Sequence, residues 1–495
     1  MEAWQQIIDT ALMGTEKKNL APAAWPPDLQ AAAATIAAAH PTDREEQFLQ
    51  TAALVSNYRQ AGAIPLYKEG ITLPMAPAEE KPYCNELAAQ ALKDVLLEDN
   101  TPLLHYWLQH CAAHGQIVLP ETLPALLTAG VAHKTLHTLV ALCTGKRGEW
   151  LAQFNEAWLF SANQTPDQLW QTGTPEQRHT VLASTRKTDP ALALQWIQQT
   201  WAEEDAATKT ALLNTLAADL NKADILFLES LATEKSKKVK EAALDLLKKI
   251  PESAIVQQYV QALQKLLAPK KEKTLLGLSS KWVLEMKTPV VLDEALYASG
   301  IEKLSSNKAY SDEEHILYQL IQSAPPAQWL AAWAMEPKAI IQLFQQDALG
   351  KKMIPALAAA IIQFSDAAWA MYLAEYGEVF YTELLPLLPL PQQAQYSQQY
   401  FSSAPDPIMH HALQSNTEWS QELAQLIVGH IAKSPYQYNR SFIGSIIHLM
   451  PAAVMPYLEN YAPAQEDLKK MWQNTTAYCR KLMTIKTQII QAFNR

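Results

Sequence analysis

The chain has 495 residues, 49% hydrophobic and 18% charged, with a formal net charge of −10. That apolar content excludes disorder for most of it, and the acidic balance opposes whole-molecule attraction to nucleic acid or anionic membrane, leaving such binding to a local patch. Glycine is scarce, 14 residues where ordinary usage of roughly 7% would give about 35, which disfavours Rossmann and phosphate-loop folds built on glycine turns.

In chain order, residues 1–60 read as two or three helices, one of them the alanine-rich run Ala31–Ala39. A proline-rich loop is expected over 61–84 and helices again over 86–160. The clearest segment is 189–267. There Val239, Ala242, Ala243, Leu246, Leu247 and Ile250 recur at helical spacing opposite Lys238, Lys240, Glu241, Asp245, Lys248 and Lys249. Ser236 is placed to cap this helix and Pro251 to end it. Asp189, Asp205, Asp224 and Ser253 open its neighbours, and helix-pair starts at 189, 224 and 253 approach the repeat lengths of about 33–47 residues of helical solenoids. Short links make successive helices antiparallel neighbours. A pair cannot bury its apolar face alone, so pairs must stack.

The β-branched run around Pro289 breaks this pattern, and an irregular or β insert is expected near 268–300. Short amphipathic helices resume from Asp312 to Tyr376, and at least three more follow, including Thr417–Lys433. The predicted fold is therefore all-α, an α-solenoid of HEAT-like stacked antiparallel helix pairs. Its regions are an N-terminal helical region (1–160), central repeats (161–267), the insert (268–311) and a C-terminal helical region (312–495). The opening MEAWQQIIDTAL has acid where a signal peptide has base, no stretch reaches the ~20 apolar residues of a membrane span, and Cys84, Cys111, Cys143 and Cys479 form no CxxC. A reducing, cytoplasmic location is the expectation.

Chemistry is harder to find. His110 with His114, and His133 with His137, are each four apart, so two helix faces could together hold zinc; without HExxH, surface or satisfied histidines are the simpler reading. Trp196, Trp201, Trp329, Trp333 and Trp369 with Glu203 and Glu204 permit a carboxylate-cleft glycosidase. Core tryptophans, with Asp189 and Asp205 as caps, explain the same residues. TGKRGEW (144–150) lacks GxxxxGK[ST] and reads as a helix C-cap and turn with Gly145 and Gly148 at positive φ, Arg147 anchoring the turn or facing a partner. His430 lies on an apolar stripe and reads as structural. The sharpest charge feature is Lys235–Lys287, where twelve lysines and no arginine stand against five acids, a window of +7. A solvated helix face, an acidic protein partner and a nucleic-acid phosphate backbone are its three readings. The partner-binding candidates are Lys235, Lys237, Lys238, Lys240, Lys248, Lys249 and Arg147; no catalytic, metal or cofactor-binding residue is assigned and no cofactor is expected.

Five segments carry a family resemblance: WQQIIDTALMGTEK (4–17), TGKRGEWLAQFNEAW (144–158), RHTVLASTRKTDPALALQWI (178–197), FLESLATEKSKKVKEAALDLLKKIPES (227–253) and HILYQLIQSAPPAQW (315–329). They resemble the bacterial family DUF5691, of unknown function. The resemblance implies a HEAT-like helical protein encoded beside a MoxR-type AAA+ ATPase, a von Willebrand A-domain protein and a SWIM zinc-finger protein. Lys17, Lys238 and Lys240 stand where the family commonly has Arg, which removes any bidentate fork there. The expected function is a non-enzymatic interaction scaffold, an accessory to the ATPase or its von Willebrand A-domain companion. The alternatives are a nucleic-acid-binding HEAT-like protein using the 235–287 lysines, and an α/α enzyme with a carboxylate cleft.

Overall fold

Either a proline in the first turn or a Ser, Thr, Asp or Asn just before it starts most of the described helices, as at Thr165, Asp205 and Ser253 and at Pro27, Pro337 and Pro405. The computed structural model describes residues 2–61, 74–161, 165–273, 280–415 and 417–494. Residues 62–73 of the expected proline-rich loop and 274–279 of the expected insert lie outside the described residues. Among those described the fold is all-α and repeat-like, with one two-stranded sheet. No described helix is long and apolar enough to cross a membrane.

The chain forms two compact units, Met1–Met75 and Ala76–Arg495. In the first, α1 (Glu2–Met13), α2 (Pro27–Ala39) and α3 (Arg44–Ala61) enclose a small core of Ile7, Trp25, Leu29, Ala33 and Val55. The Trp25 indole donates to Gln6 Oε1 at 3.0 Å, and the Arg59 guanidinium lies 4.9 Å over the Trp4 ring.

The second unit begins with α4 (Glu86–Leu97), α5 (Thr101–Ala113), α6 (Leu123–Ala132) and α7 (His137–Ala152). The stack follows as α8 (Pro166–Thr172), α9 (Pro175–Thr188), α10 (Pro190–Thr200), α11 (Ala206–Leu216), α12 (Ile225–Ser230), α13 (Lys237–Leu247) and α14 (Ala254–Leu266). The insert is a hairpin of β1 (Leu267–Lys273) and β2 (Ser280–Met286), paired antiparallel from Leu267↔Met286 to Lys273↔Ser280. After it come α15 (Glu294–Ala298), α16 (Asp312–Gln322), α17 (Gln328–Trp333), α18 (Pro337–Gln346), α19 (Ala348–Gln363) and α20 (Ala367–Tyr376). The last are α21 (Leu390–Tyr400), α22 (Pro405–Gln414), α23 (Gln421–Ile431), α24 (Arg440–Ile446) and α25 (Glu466–Phe493).

Helix α7 turns a corner at Gly145, whose φ of 62° suits glycine. The Glu79 carboxylate caps the restart, accepting from the Lys146 and Arg147 amides at 2.8 Å each. Gly148 does not share the positive φ expected for it. It sits inside the restarted helix, buried against Thr144, where a Cβ would come within 2.3 Å of the threonine Cβ.

Two cores organise the second unit. One gathers buried side chains from 84–143 and from 256–493; the other belongs to the stack, from Trp170 to Ile250, and Ile255 packs against both. The first core joins segments hundreds of residues apart because α25 returns to α4 and α5. Trp472, Cys479, Leu482, Met483, Ile489 and Phe493 are buried along this helix. Two cap asparagines hold the return. Asn85 Oδ1 caps α4 while Nδ2 donates to Ala492 O at 2.7 Å; Asn100 Oδ1 caps α5 while Nδ2 donates to Gly444 O at 3.1 Å. Lys486, 1% exposed, donates to Glu418 Oε2 (2.5 Å), His448 O (2.9 Å) and Met450 O (2.7 Å). Burial pulls its ammonium pKa below the ordinary lysine value, with Glu418 opposing.

Asp caps a helix as well as Asn does, but it has no N–H for Gly444 O. Asn100→Asp is expected to cost about 1–3 kcal/mol by chemical denaturation with α5 still capped; a neutral outcome would remove the clamp. Lys486→Met should cost about 1–3 kcal/mol for each carbonyl left without a donor, read as a lower denaturation midpoint. Burial also takes His448 from 6.5 down to about 4, with Lys486 and His105 adding to the shift. The unfolded state therefore binds the proton first as pH falls, so stability drops between about 6.5 and 4. His448→Asn should reduce that part of the acid loss in a pH series of melts.

Candidate functional site

The stack carries a repeat that the helix starts alone did not reveal. Thr174, Asp205 and Ser236 precede α9, α11 and α13 at intervals of 31 residues, and these helices pack side by side. Thr174 forms a capping box with Gln177, and Asp205 accepts from the Thr208 amide at 2.8 Å. Ser236 occupies the cap position but makes no capping bond, contrary to the expectation drawn from its spacing.

The first two repeats also place a ring, a cation and a carboxylate together. Trp170 stacks on Trp196 with centroids 5.6 Å apart; Arg178 lies 4.4 Å above the Trp170 ring and pairs with Glu204 at 2.7 Å. One repeat on, Trp201 meets Phe227 edge-on at 5.1 Å, Lys209 lies 5.2 Å from the Trp201 ring, and Lys209 pairs with Glu234 at 2.9 Å. The Trp201 indole also donates to Glu234 at 2.7 Å, and the Lys209 bond, then this one, hold that carboxyl below its usual range. Cation–π contact adds roughly 0.5–2 kcal/mol to such a rung. A third repeat puts Lys240 at the cation position. Ala232 and Thr233 stand where the ring belongs, and Gln264 and Lys265 where the carboxylate belongs. The third rung has a cation and neither partner.

The lysines of this end are mostly exposed. Lys237 reaches Glu241 at 3.6 Å across a solvated turn, and among the described residues no carboxylate lies in ion-pair range of Lys235, Lys238, Lys240 or Lys249. Lys248 is different. Half-buried, it pairs with Asp245 at 3.3 Å, and its carbonyl accepts from Gln363 Nε2 at 3.0 Å, tying the stack to α19. Arg147 is placed apart from them, half-buried in α7, its amide held by Glu79. The remaining basic residues of the window fall largely on the hairpin. Lys270 pairs with Glu285 at 2.5 Å, Lys281 donates to Gln346 O at 3.3 Å, and Lys271 lies 4.8 Å over Trp282, which is 40% exposed.

The four histidines do not converge. His110 stacks on Phe493 at 5.9 Å and His114 lies tilted against the same ring at 5.5 Å. His133 Nε2 meets Thr101 Oγ1 at 3.3 Å, and His137 stacks on Phe160 at 4.1 Å. Among the described residues no three His, Cys, Asp or Glu side chains are grouped to hold a metal ion. Trp196, Trp201, Trp329 and Trp369 are buried. His430 is half-buried, 3.6 Å from Asp406.

A groove of about 520 Å³ opens between α8 and α10 at the first rung. Asp167, Gln171, Gln195, Gln199, Glu203 and Glu204 line it, with Arg178, Leu192 and the edges of Trp170 and Trp196. Sequence reasoning singled out Trp196, Glu203 and Glu204 here but missed the groove, whose signal was the 31-residue recurrence of tryptophan, cation and cap.

A family model described as "Family of unknown function (DUF5691)" matches residues 6–493. Comparison with curated proteins and with solved structures returns no match. The match spans both helical units, the stack and its lysine end, and on that extent the chain belongs to the DUF5691 family.

Proposed function

We propose that this protein is a non-enzymatic scaffold whose helical stack presents charged surfaces to protein partners, the lysine end of α13 taking an acidic one. The observation that carries this reading is the open third rung. The same fold position is closed internally twice, by Glu204 on Arg178 and by Glu234 on Lys209, whereas Lys240 stands exposed beside Lys235, Lys237 and Lys238. Lysines in the first turn of a helix oppose its dipole, so an arriving carboxylate relieves repulsion as well as adding attraction. The family resemblance nominates a MoxR-type AAA+ ATPase or its von Willebrand A-domain companion as that partner, and the four cysteines without a CxxC support the cytoplasm as the location.

A second reading, nucleic-acid binding, is favoured by one feature: Trp282 exposed on the hairpin beside Lys271, since a ring flanked by cations stacks on unpaired bases. The window is entirely lysine, which forgoes the bidentate phosphate contacts of arginine, and the acidic balance of the chain opposes it.

Changing Lys235, Lys237, Lys238 and Lys240 together to Glu should abolish co-purification with the ATPase or the A-domain protein at low salt, with helicity and melting temperature unchanged. Recovery of neither partner by the native protein, or equal recovery by the variant, would overturn the scaffold reading. Salt-sensitive binding of single-stranded DNA that Trp282→Ala weakens tenfold would favour nucleic acid instead.

A further inference from the structure

The groove between α8 and α10 lies on the same stack as the lysine end but has the opposite chemistry. Its carboxylates are not all committed. Glu204 is spent on Arg178 at 2.7 Å, whereas among the described residues Asp167 and Glu203 have no cation within ion-pair range. Its amides are open as well: among the described residues Gln171, Gln195 and Gln199 make no side-chain hydrogen bond within the chain, whereas Gln168 and Gln177 close capping boxes and Gln257 donates to Pro251 O. Arg178 uses Nη2 on Glu204, and its Nε–H is buried with no acceptor.

These features fit one kind of ligand. Amides donate to and accept from a peptide backbone without regard to side chain. Asp167 and Glu203 complement a cationic side chain. The Trp170 and Trp196 edges and Leu192 give apolar surface to the stem of a lysine or arginine, which buries its methylenes while its head stays polar. The volume lies within the range of about 300–1,000 Å³ usual for ligand sites. The two rings are themselves buried, at 3% and 4% exposure, so they offer edges rather than the flat platforms a sugar needs.

We infer that this groove is a second docking site, which takes an extended segment of a protein partner bearing lysine or arginine. It does not depend on the lysine end of α13, and either site stands if the other fails. The stack then has two faces of opposite sign and joins an acidic partner to a basic one.

The test uses the full-length chain and three fluorescein-labelled nonapeptides of alternating Lys-Gly, Glu-Gly and Ser-Gly, followed by anisotropy at low salt. The expected order of affinity is Lys-Gly, then Ser-Gly, then Glu-Gly. Asp167→Asn with Glu203→Gln should weaken the Lys-Gly peptide at least tenfold. Glu229→Gln with Glu252→Gln, which removes the same charge from exposed positions outside the groove, should leave it unchanged. Gln195→Ala with Gln199→Ala should weaken all three peptides, a change that diffuse attraction does not produce. Equal losses in the two charge-neutralised variants, or no measurable binding of the Lys-Gly peptide, would overturn the site. So would concentration-dependent self-association in sedimentation that Asp167→Asn with Glu203→Gln abolishes, because the groove would then be filled by a second copy.

Discussion

The return of α25 to the first helices of its unit is the constraint on which the rest depends. A helix of 28 residues spans about 42 Å and buries side chains along its length, from Trp472 to Phe493. Its apolar stripe needs partners from both ends of the unit. Trp107 meets Phe493 edge-on at 5.5 Å, and Asn85 and Asn100 each use one end of an amide to start a helix and the other to grip a carbonyl more than 300 residues away in sequence. Carboxamide is the group that does both, because it carries an acceptor and two donors. Lys486 is tolerated at 1% exposure because three acceptors surround its ammonium. An unpaired charge there would cost several kcal/mol.

Within that frame the stack from Trp170 to Ile250 has its own core, while α14 is buried in the main one, and this separation gives the stack functional latitude. Its polar interior is anchored by Arg186 and Asp224, both fully buried and paired at 2.5 Å, with Arg186 also donating to Pro190 O at 3.1 Å. Outside that anchor, rings, cations and carboxylates recur without being required for the main core. Two repeats close their charges internally. The third leaves its lysines to solvent, and the first opens a groove with uncommitted acids and amides. Residues that contribute little to stability and are not matched internally are the ones a solenoid can offer to partners.

Some of this was legible in the sequence for definite reasons. Ser253 and Asp205 cap where their position before an apolar stripe says they should, because an N-cap is a local bond across three residues. The strands Leu267–Lys273 and Ser280–Met286 overlap the stretch near 268–300 where the helical period breaks, although the β-branched run around Pro289 lies beyond both. Other expectations failed for equally local reasons. Ser236 has the sequence position of a cap without its hydrogen bond. Gly148 is a helical glycine chosen for its closeness to Thr144 rather than for a left-handed φ. Asp224 stands at a helix start, but its carboxylate closes a capping box on Asn221 one turn earlier and also takes the Arg186 guanidinium, 38 residues away; no cap rule foresees the second partner.

By itself the sequence determined what depends on spacing along one helix: the all-α class, caps such as Asp205 and Ser253, the solvated lysine face of α13 and the stacking of neighbours. Tertiary structure decided what depends on which distant surfaces meet. It split the four histidines between Phe493 and the Thr101–Phe160 region, spread the twelve lysines over α13 and its flanks, α14 and the hairpin, and brought α8 and α10 to either side of a groove. The physical reason is range. Helix periodicity is set by bonds three and four residues apart, whereas a site is set by side chains whose separation in sequence carries no information about their separation in space.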